Sequence, residues 1–168
     1  MEPTIRPSNP MMNKEAPMED PVYIPIHEII LKSEKESDNL LILKEHALAE
    51  SSLIMFVGEP ELLAIAKEKG LIQPPRPLTH ELYLSILEKA GVEFVRVEIY
   101  DLKDQTYFAD VVYRLNQEEI SADSRPSDAI ALAMHQKIPI LVEPRLLNKA
   151  LSLVQLDTLK EFIRTATF

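Results

Sequence analysis

The 168-residue chain contains no cysteine and only three glycines. The absence of cysteine excludes a disulfide scaffold, a thiolate zinc site and a cysteine nucleophile, and it suits a reducing compartment. With so few glycines the chain has no glycine-rich phosphate loop and no Gly-x-Ser-x-Gly elbow, which excludes most nucleotide-binding and hydrolase classes. No apolar run approaches the roughly 18 residues of a membrane span.

The chain also lacks a cluster of basic residues. Its net charge is −9, and its 18 lysines and arginines are scattered along the sequence. A large non-specific nucleic-acid surface is therefore not expected, because such surfaces are normally basic. A small pocket for one phosphate, or an acidic metal site that cuts one bond, remains open. The N-terminus lacks the basic-then-apolar order of a signal peptide, so we expect a cytoplasmic protein.

Composition and apolar patterning predict one α+β domain between two short extensions. Apolar residues make up 46% of the chain, which is enough for a core without disulfides or a metal. Six of the 13 prolines fall in the first 25 residues, so residues 1–20 predict a disordered tail. Residues 21–150 predict the domain itself, and residues 151–168 predict a C-terminal helix.

The first half of the domain predicts three strands followed by two helices. The segments "VYIPIHEIILK", "LLILK" and "SSLIMFV" predict consecutive antiparallel strands, and Pro25 indicates a sheet edge or a strand start. A helix is expected from Pro60 to Lys69, with Gly70 as its stop. A second helix, N-capped by Thr79 and ended by Gly91, has an apolar stripe formed by Leu82, Tyr83, Ile86, Leu87 and Ala90.

The second half predicts a long hairpin and one crossover. "VEFVRVEIYDLKDQTYFADVVYRL" predicts two antiparallel strands with a turn near Asp104. Their alternation sets Arg96 and Glu98 beside Asp110 and Arg114, which predicts cross-strand ion pairs on a solvated face. A short strand, a helix over 126–137 and the apolar strand "IPILVE" follow. This order indicates a mixed, mostly antiparallel sheet flanked by helices.

The segment "DSRPSDAIALAM", residues 123–134, is the most polar helix start in the chain. Pro126 suits the first helical position, and Asp128 in the first turn suits the helix dipole. Ser124 and Ser127 can cap free N–H groups. Helix capping therefore accounts for every one of these residue types without any function.

Capping does not explain Arg125, a cation beside the positive end of a helix. It needs an acidic partner, Asp123 or Asp128, or a bound anion such as phosphate. A second Arg-Pro pair begins the helix of "RPLTHELYL". If both helix starts face one cleft, that cleft can bind a phosphodiester and a divalent metal, and it contains Arg76, Arg125, His80, Asp123 and Asp128.

His80 taken alone is more typical of a helix start than of a general base. The chain has four histidines, at positions 27, 46, 80 and 135, and none has the spacing of a known metal motif.

The sequence from "RPLTHELYL" to "DSRPSDAIALAMHQKIPILVEPRLL", residues 76–147, resembles the bifunctional nuclease domain family. "RPLTH", "LKDQTYFA" and "DSRPSDAIALA" have the order and spacing of that family. The resemblance extends more loosely back to residue 22, where Gly58 and Glu61 match a Gly-x-x-Glu-Ala segment and Leu62 departs from it.

This resemblance implies a single α+β domain that cleaves RNA and DNA with the help of a divalent cation. Carried over position by position, the matching polar residues are Glu61, Arg76, Thr79, His80, Lys103, Asp104, Asp123, Ser124, Arg125, Ser127 and Asp128.

Three hypotheses follow for this polar set. In the first, the chain is a metal-assisted phosphodiesterase of low specificity that acts on single-stranded RNA or DNA. Asp123 and Asp128, with Glu61 as a further ligand, hold Mg²⁺ or Mn²⁺, and Asp128, Asp123 and His80 are the catalytic residues. Arg125, Arg76, Ser127 and Ser124 bind the substrate.

The other two hypotheses involve no chemistry. In one, the same helix starts bind a small anion, a nucleotide or a partner. In the other, Arg125 only locks the junction of helix and sheet in a structural protomer. The proline-bearing edge then pairs with a second copy, which predicts a homo-oligomer.

Overall fold

The structure is a computed structural model, and it describes residues 22–33 and 39–149. The tail and the terminal helix predicted over residues 1–20 and 151–168 lie outside the described residues. The strands are β1 (Ile24–Pro25), β2 (Glu28–Ser33), β3 (Asn39–Lys44), β4 (Ser51–Phe56), β5 (Glu93–Lys103), β6 (Thr106–Leu115), β7 (Glu118–Ser124), β8 (Ile140–Val142) and β9 (Asn148–Lys149). The helices are α1 (Glu59–Glu68), α2 (Thr79–Lys89) and α3 (Pro126–Gln136), and a 3₁₀ turn covers Pro144–Leu146.

The described strands form two sheets. One has the order β1-β8-β5-β6-β7, and the other has the order β2-β3-β4-β9. β5 and β8 pair in parallel, because the chain crosses over through α3, and the other pairs are antiparallel. The predicted α+β class and the mixed, mostly antiparallel pairing are confirmed, although the strands divide between two sheets.

The first predicted strand is split between the two sheets. The amide of Ile26 donates to the carbonyl of Ile140 at 2.8 Å, whereas the amide of His27 donates to the carbonyl of Lys44 at 3.1 Å. The chain therefore crosses from one sheet to the other at this point. Pro25, which has no N–H for a ladder, lies on the edge strand β1, as its residue type predicted.

The three helices meet around α3. This helix packs against β5 and β6, and it is contacted by both α1 and α2. Its buried residues join a core that includes side chains from both sheets, among them Leu41, Leu43, Leu53, Ile65, Val97, Ile99, Ala129, Ile130 and Ala133. Burial of this apolar surface is the main force that fixes the helix positions.

The predicted hairpin of β5 and β6 is confirmed, with its turn at Asp104 and Gln105. Both residues have positive φ, 47° and 61°, as expected for a two-residue turn that matches the strand twist. Register shifts in β5 leave Glu98 opposite Asp110 but move Arg96 opposite Val112.

The solvated face of this sheet carries the ion pairs that the alternation predicted, with different partners. Arg96 contacts Glu98 at 2.6 Å and Glu119 at 3.0 Å. Arg114 contacts Glu93 at 3.0 Å and Glu119 at 3.1 Å. Glu119 on β7 thus joins both arginines, a role that the two-strand pattern did not include.

α2 differs from its prediction in two ways. Its N-cap is Leu78 rather than Thr79, and the amide of Leu78 donates to Oε2 of Glu81 at 2.8 Å. Of the apolar side chains along this helix, Leu84 is buried, whereas the predicted stripe is exposed: Leu82, Tyr83, Ile86, Leu87 and Ala90.

The ends of the first two helices agree with their glycines. Gly70 and Gly91 have φ of +72° and +87° and follow α1 and α2, as predicted for helix stops.

None of the helices within the described residues is long and apolar enough to span a membrane.

Candidate functional site

α1 and α3 lie side by side and run in the same direction. Near their starts, Glu61 of α1 contacts Arg125, the residue before α3, and at their ends Glu68 contacts His135. These two contacts are separated by seven residues along α1, which is about 10 Å of helix. The helix pair therefore has one polar cluster at each end.

We call the first group the arginine cluster: Glu61, Arg125 and Asp128. Arg125 Nε lies 2.7 Å from Oδ2 of Asp128, Nη2 lies 3.2 Å from its Oδ1, and Nη2 also lies 2.8 Å from Oε1 of Glu61. Asp128 first and Glu61 second raise the pKa of the Arg125 guanidinium, which stays charged. The predicted acidic partner is thus Asp128, and Glu61 is an additional one.

A glycine makes room for the carboxylate of this cluster. Gly58 precedes α1 with φ −69° and ψ 164°, a backbone that any residue can adopt. A side chain there would collide with the Glu61 carboxylate, which lies directly over the glycine. The Gly58-x-x-Glu61 spacing therefore leaves the Glu61 carboxylate room over the glycine, beside Arg125.

The start of α3 is capped differently from the prediction. Its N-cap is Arg125, and no side chain caps the free amides. Ser124 Oγ donates instead to the carbonyl of Arg125 at 3.1 Å, and Ser127 is buried. The carbonyl of Arg125 also accepts from the amides of Asp128 and Ala129, so these two amides are satisfied without a serine cap.

The starts of α2 and α3 face one cavity of about 610 Å³. Its polar side chains include His80 from α2 together with Arg125 and Asp128. Its apolar wall comes from all three helices and is formed by Leu63, Tyr83, Leu84, Leu87 and Leu132. A second cavity of about 680 Å³ shares Glu61 and Arg125 and reaches Ser127 and Tyr107.

Two predicted site residues lie apart from these cavities. Arg76 is exposed in the connection before α2 and lines neither of them. Asp123 is exposed on β7, opposite Asp110 of β6, and lines neither cavity. Five residues were predicted to share one cleft at the two Arg-Pro helix starts. The structure places three of them there, His80, Arg125 and Asp128. The roles of Arg76 and Asp123 stay predictions.

The second group is the histidine cluster: Glu68, His80 and His135. Glu68 Oε1 lies 3.0 Å from Nε2 of His80, and Oε2 lies 3.2 Å from Nδ1 of His135. The two rings meet edge to face with centroids 6.1 Å apart. The Glu68 carboxylate is 9% exposed, and the histidines are 19% and 30% exposed.

A lysine adjoins this cluster. Lys67 Nζ lies 3.2 Å from Oε1 of Glu68 and also contacts Glu81. Burial raises the pKa of Glu68, but hydrogen bonds from His80, Lys67 and His135 outweigh it and hold that pKa below its usual range. Glu68 is therefore ionised at neutral pH.

The two clusters differ as metal sites. Among the described residues, the histidine cluster is the group of three His, Asp or Glu side chains whose ligand atoms lie within 4.8 Å of one another. The predicted ligands Glu61 and Asp128 instead contact Arg125. The sequence analysis did not predict Glu68 or His135 as site residues, because positions 68, 80 and 135 are far apart in the sequence and form no local motif.

The comparison with known families agrees with the resemblance. The family model of the bifunctional nuclease domain matches residues 41–155, about two thirds of the chain. The chain belongs to the bifunctional nuclease domain family.

Several relatives support this membership. The uncharacterized protein Rv1829 of Mycobacterium tuberculosis (strain ATCC 25618 / H37Rv) is 33% identical over 120 residues, 71% of each chain. Bifunctional nuclease 1 of Oryza sativa subsp. japonica is 30% identical over 148 residues, 86% of this chain and 41% of the plant protein. Bifunctional nuclease 2 of Arabidopsis thaliana is 29% identical over 125 residues, 73% of this chain and 34% of the plant protein.

Proposed function

We propose that this chain is a nuclease that hydrolyses phosphodiester bonds in single-stranded RNA and DNA with low sequence specificity. The observation that carries the proposal is the 610 Å³ cavity, which joins Arg125 and His80 to an apolar wall in a chain of the bifunctional nuclease domain family. Such a cavity offers a charged end to a phosphate and an apolar surface to a base.

The phosphate is proposed to bind at Arg125. Its side chain is 67% exposed and has a planar fork of donors suited to two phosphate oxygens. Ser124 lines the same cavity and Ser127 the adjoining one, so both hydroxyls are near this fork. Arg76 is proposed as an outer contact to the substrate backbone, beyond the cavity.

The apolar wall favours a single strand as substrate. Tyr83 and Leu87 are exposed and stand in the same cavity as Arg125. An unstacked base can lie against such side chains, whereas a base inside a duplex cannot reach them. The wall has few groups that could read base edges, which agrees with action on both RNA and DNA.

His80 is proposed as the general acid or base. The Glu68 carboxylate lies 3.0 Å from Nε2 of His80 and can hold the imidazole in one orientation. A catalytic base is commonly oriented by a third group in this way. His80 lines the cavity, so a proton can pass between the imidazole and the reacting oxygen, directly or through one water.

Asp128 and Glu61, which flank Arg125, are proposed as the acidic residues that hold the divalent cation, Mg²⁺ or Mn²⁺, and Asp123, which lies beyond both cavities, is proposed as an outer acid of this site. A phosphate bound at Arg125 would compete with Asp128 and Glu61 for its guanidinium hydrogen bonds, and these two carboxylates would then be able to hold the cation. The bound cation would neutralise charge on the phosphoryl oxygens and help generate the nucleophile. Phosphate and cation are thus expected to bind together, since either alone leaves charges unbalanced beside Arg125.

The test is cleavage of short fluorescent single strands, RNA and DNA, with Mg²⁺, Mn²⁺ or EDTA. Asp128→Ala should lose the metal-dependent cutting. Glu118→Ala, an exposed acid at the far end of β7, is the matched control and should cut like wild type. Circular dichroism checks that both variants fold. Equal weak cutting by all three proteins would point to a contaminant and reject the proposal.

The alternative is a binding module for a nucleotide or another small anion. The acidic net charge of −9 favours it, because it weakens attraction for long nucleic acids. A rise in Tm with a mononucleotide, together with no turnover under any metal condition, would support this alternative.

The predicted homo-oligomer also stays a proposal. The contact predicted at the proline-bearing edge, strand β1, stays a proposal, and we propose the exposed apolar residues Leu82 and Ile86 of α2 as a further contact with a second copy. Light scattering should then give a monomer mass for Leu82→Glu and a larger mass for wild type.

A further inference from the structure

The histidine cluster joins three helices at one point. Glu68 is the last residue of α1, His80 is the second residue of α2, and His135 is the last but one residue of α3. Each helix contributes one side chain, and the three ligand atoms lie within 4.8 Å of one another.

The spacing of these atoms is close to that of a metal coordination shell. Zinc binds nitrogen and oxygen at about 2.0–2.2 Å, so two ligand atoms in a tetrahedral site are roughly 3.4 Å apart. The ligand atoms are 3.0 Å apart between Glu68 and His80 and 3.2 Å apart between Glu68 and His135, and all three lie within 4.8 Å of one another. An ion can therefore replace the two hydrogen bonds of Glu68 through small shifts of the three side chains.

The chemistry of the donors selects the class of ion. Two imidazole nitrogens and one carboxylate oxygen suit zinc, cobalt, nickel and other transition ions, whereas Mg²⁺ and Ca²⁺ prefer all-oxygen shells. The partial exposure of His80 and His135 leaves room for a fourth ligand, such as water.

Lys67 is the main competitor for such an ion, because its Nζ lies 3.2 Å from Oε1 of Glu68. The same Nζ also contacts Glu81, so Lys67 keeps a counter-ion when Glu68 turns to the metal. Binding is thus possible with Lys67 in place, but a neutral side chain at this position should strengthen it.

We propose that Glu68, His80 and His135 form a binding site for a divalent transition ion of the zinc class. This inference goes beyond the proposed nuclease function and does not rest on it. The site holds the ends of α1 and α3 to the start of α2, so the bound ion should also stabilise the fold by mass action.

The experiment is titration of the chelator-treated full chain with Zn²⁺ by calorimetry, with Co²⁺ as a second probe by its visible absorption. We expect one ion per chain and a Tm that rises with Zn²⁺. His135→Ala and Glu68→Gln should each weaken Zn²⁺ binding at least about tenfold. Lys67→Met should tighten it by roughly threefold or more, since a positive charge near the ion is removed.

His46→Ala is the matched control, because His46 is exposed in the loop between β3 and β4 and lies outside the cluster. It should bind Zn²⁺ like wild type. If His46→Ala loses as much affinity as His135→Ala, or if Glu68→Gln binds unchanged, the site is not where we place it. Circular dichroism in EDTA checks that every variant is folded before titration.

A further readout connects the site to catalysis. When an ion occupies Nε2 of His80, the other ring nitrogen, Nδ1, keeps its proton and cannot accept one from the reacting groups, so Zn²⁺ should inhibit cleavage supported by Mg²⁺. This last readout rests on the proposed function, whereas the calorimetry does not. A chain that binds Zn²⁺ here and cuts nothing would keep this inference and reject the nuclease.

Discussion

The two polar clusters lie at opposite ends of the same pair of helices, and they differ in what balances their carboxylates. In the arginine cluster, Glu61 and Asp128 share a guanidinium that is always charged. In the histidine cluster, Glu68 faces two imidazoles, which can be neutral and can offer a lone pair. The first cluster can pass hydrogen bonds to an anion, and the second can exchange them for a cation.

The direction of the helices adds to this difference. α1 and α3 begin at the arginine cluster and end at the histidine cluster. Their positive ends therefore favour a phosphate near Arg125, and their negative ends favour a cation near His135. α2 begins next to His80, and its positive end partly opposes the attraction of a cation to the histidine cluster. Helix polarity, together with residue type, therefore favours a phosphate at the site proposed near Arg125, where a cation would bind only together with that phosphate, and a cation alone at the site proposed near His135, seven residues further along α1.

The largest expected effect comes from a core residue that lies between the two clusters on α1. Ile65 is fully buried on α1, between Glu61 and Glu68. Ile65→Ala should lower the free energy of unfolding by about 2–5 kcal/mol, whereas Ile65→Val should cost about 0.5–1.5 kcal/mol. Urea denaturation measures both. Zn²⁺ binding and cleavage should weaken together in Ile65→Ala, and survival of one of them at full strength would show that the clusters do not depend on a common α1.

A smaller effect should separate the two clusters. Arg125→Ala should reduce cleavage about 100-fold, because it removes the donors proposed for the phosphate. Its Zn²⁺ affinity, measured by calorimetry, should stay within roughly twofold of wild type, since the sites are about 10 Å apart. Arg125→Lys keeps the positive charge but loses the planar fork of donors, so its cleavage rate should lie between those of wild type and Arg125→Ala. Joint loss of cleavage and Zn²⁺ binding in a folded Arg125→Ala would contradict this separation.

The smallest effect is expected where neither cluster is touched. Hydrogen bonds from Arg96 and then Arg114 hold the pKa of Glu119 below its usual range of about 4.3. The stability from this lowered pKa is present above pH 4.3 and is lost as the pH falls through the lowered value. Glu119→Gln should therefore lower Tm slightly at neutral pH and not at all in strong acid, as thermal melts can test.

Glu119 is exposed, so its ion pairs are screened and should contribute little. Cleavage and Zn²⁺ binding should both equal those of wild type. A clear change in either would mean that the solvated face of the sheet belongs to the site.

Local signals in the sequence predicted most of the elements. The turn at Asp104 and the helix stops at Gly70 and Gly91 were correct, because each depends on a few neighbouring residues. The capping role of Thr79 and of the α3 serines was wrong, since a cap is decided by the exact backbone entry. The single strand across Pro25 was also wrong, because pairing partners far along the chain divide it.

Only the part of the candidate site whose residues lie in one short segment was predicted from the sequence. "DSRPSDAIALA" predicted that Arg125 needs an acidic partner, and the contact with Asp128 three residues later confirms it. Glu61 was matched by resemblance, but its contact with Arg125 could not be expected from spacing. The exposure of Tyr83 and its neighbours on α2 was likewise hidden, because an amphipathic pattern does not say what covers the apolar face.

The sequence by itself determined the α+β class, the mixed pairing, the family and the polar start of α3, since these follow from periodicity, turn residues and contiguous motifs. Only the tertiary structure decided that residues 68, 80 and 135 meet, and that α1 and α3 run in parallel with a cluster at each end. The physical reason is that helix packing is fixed by the burial of a shared core. No local pattern records which distant polar side chains that packing brings together.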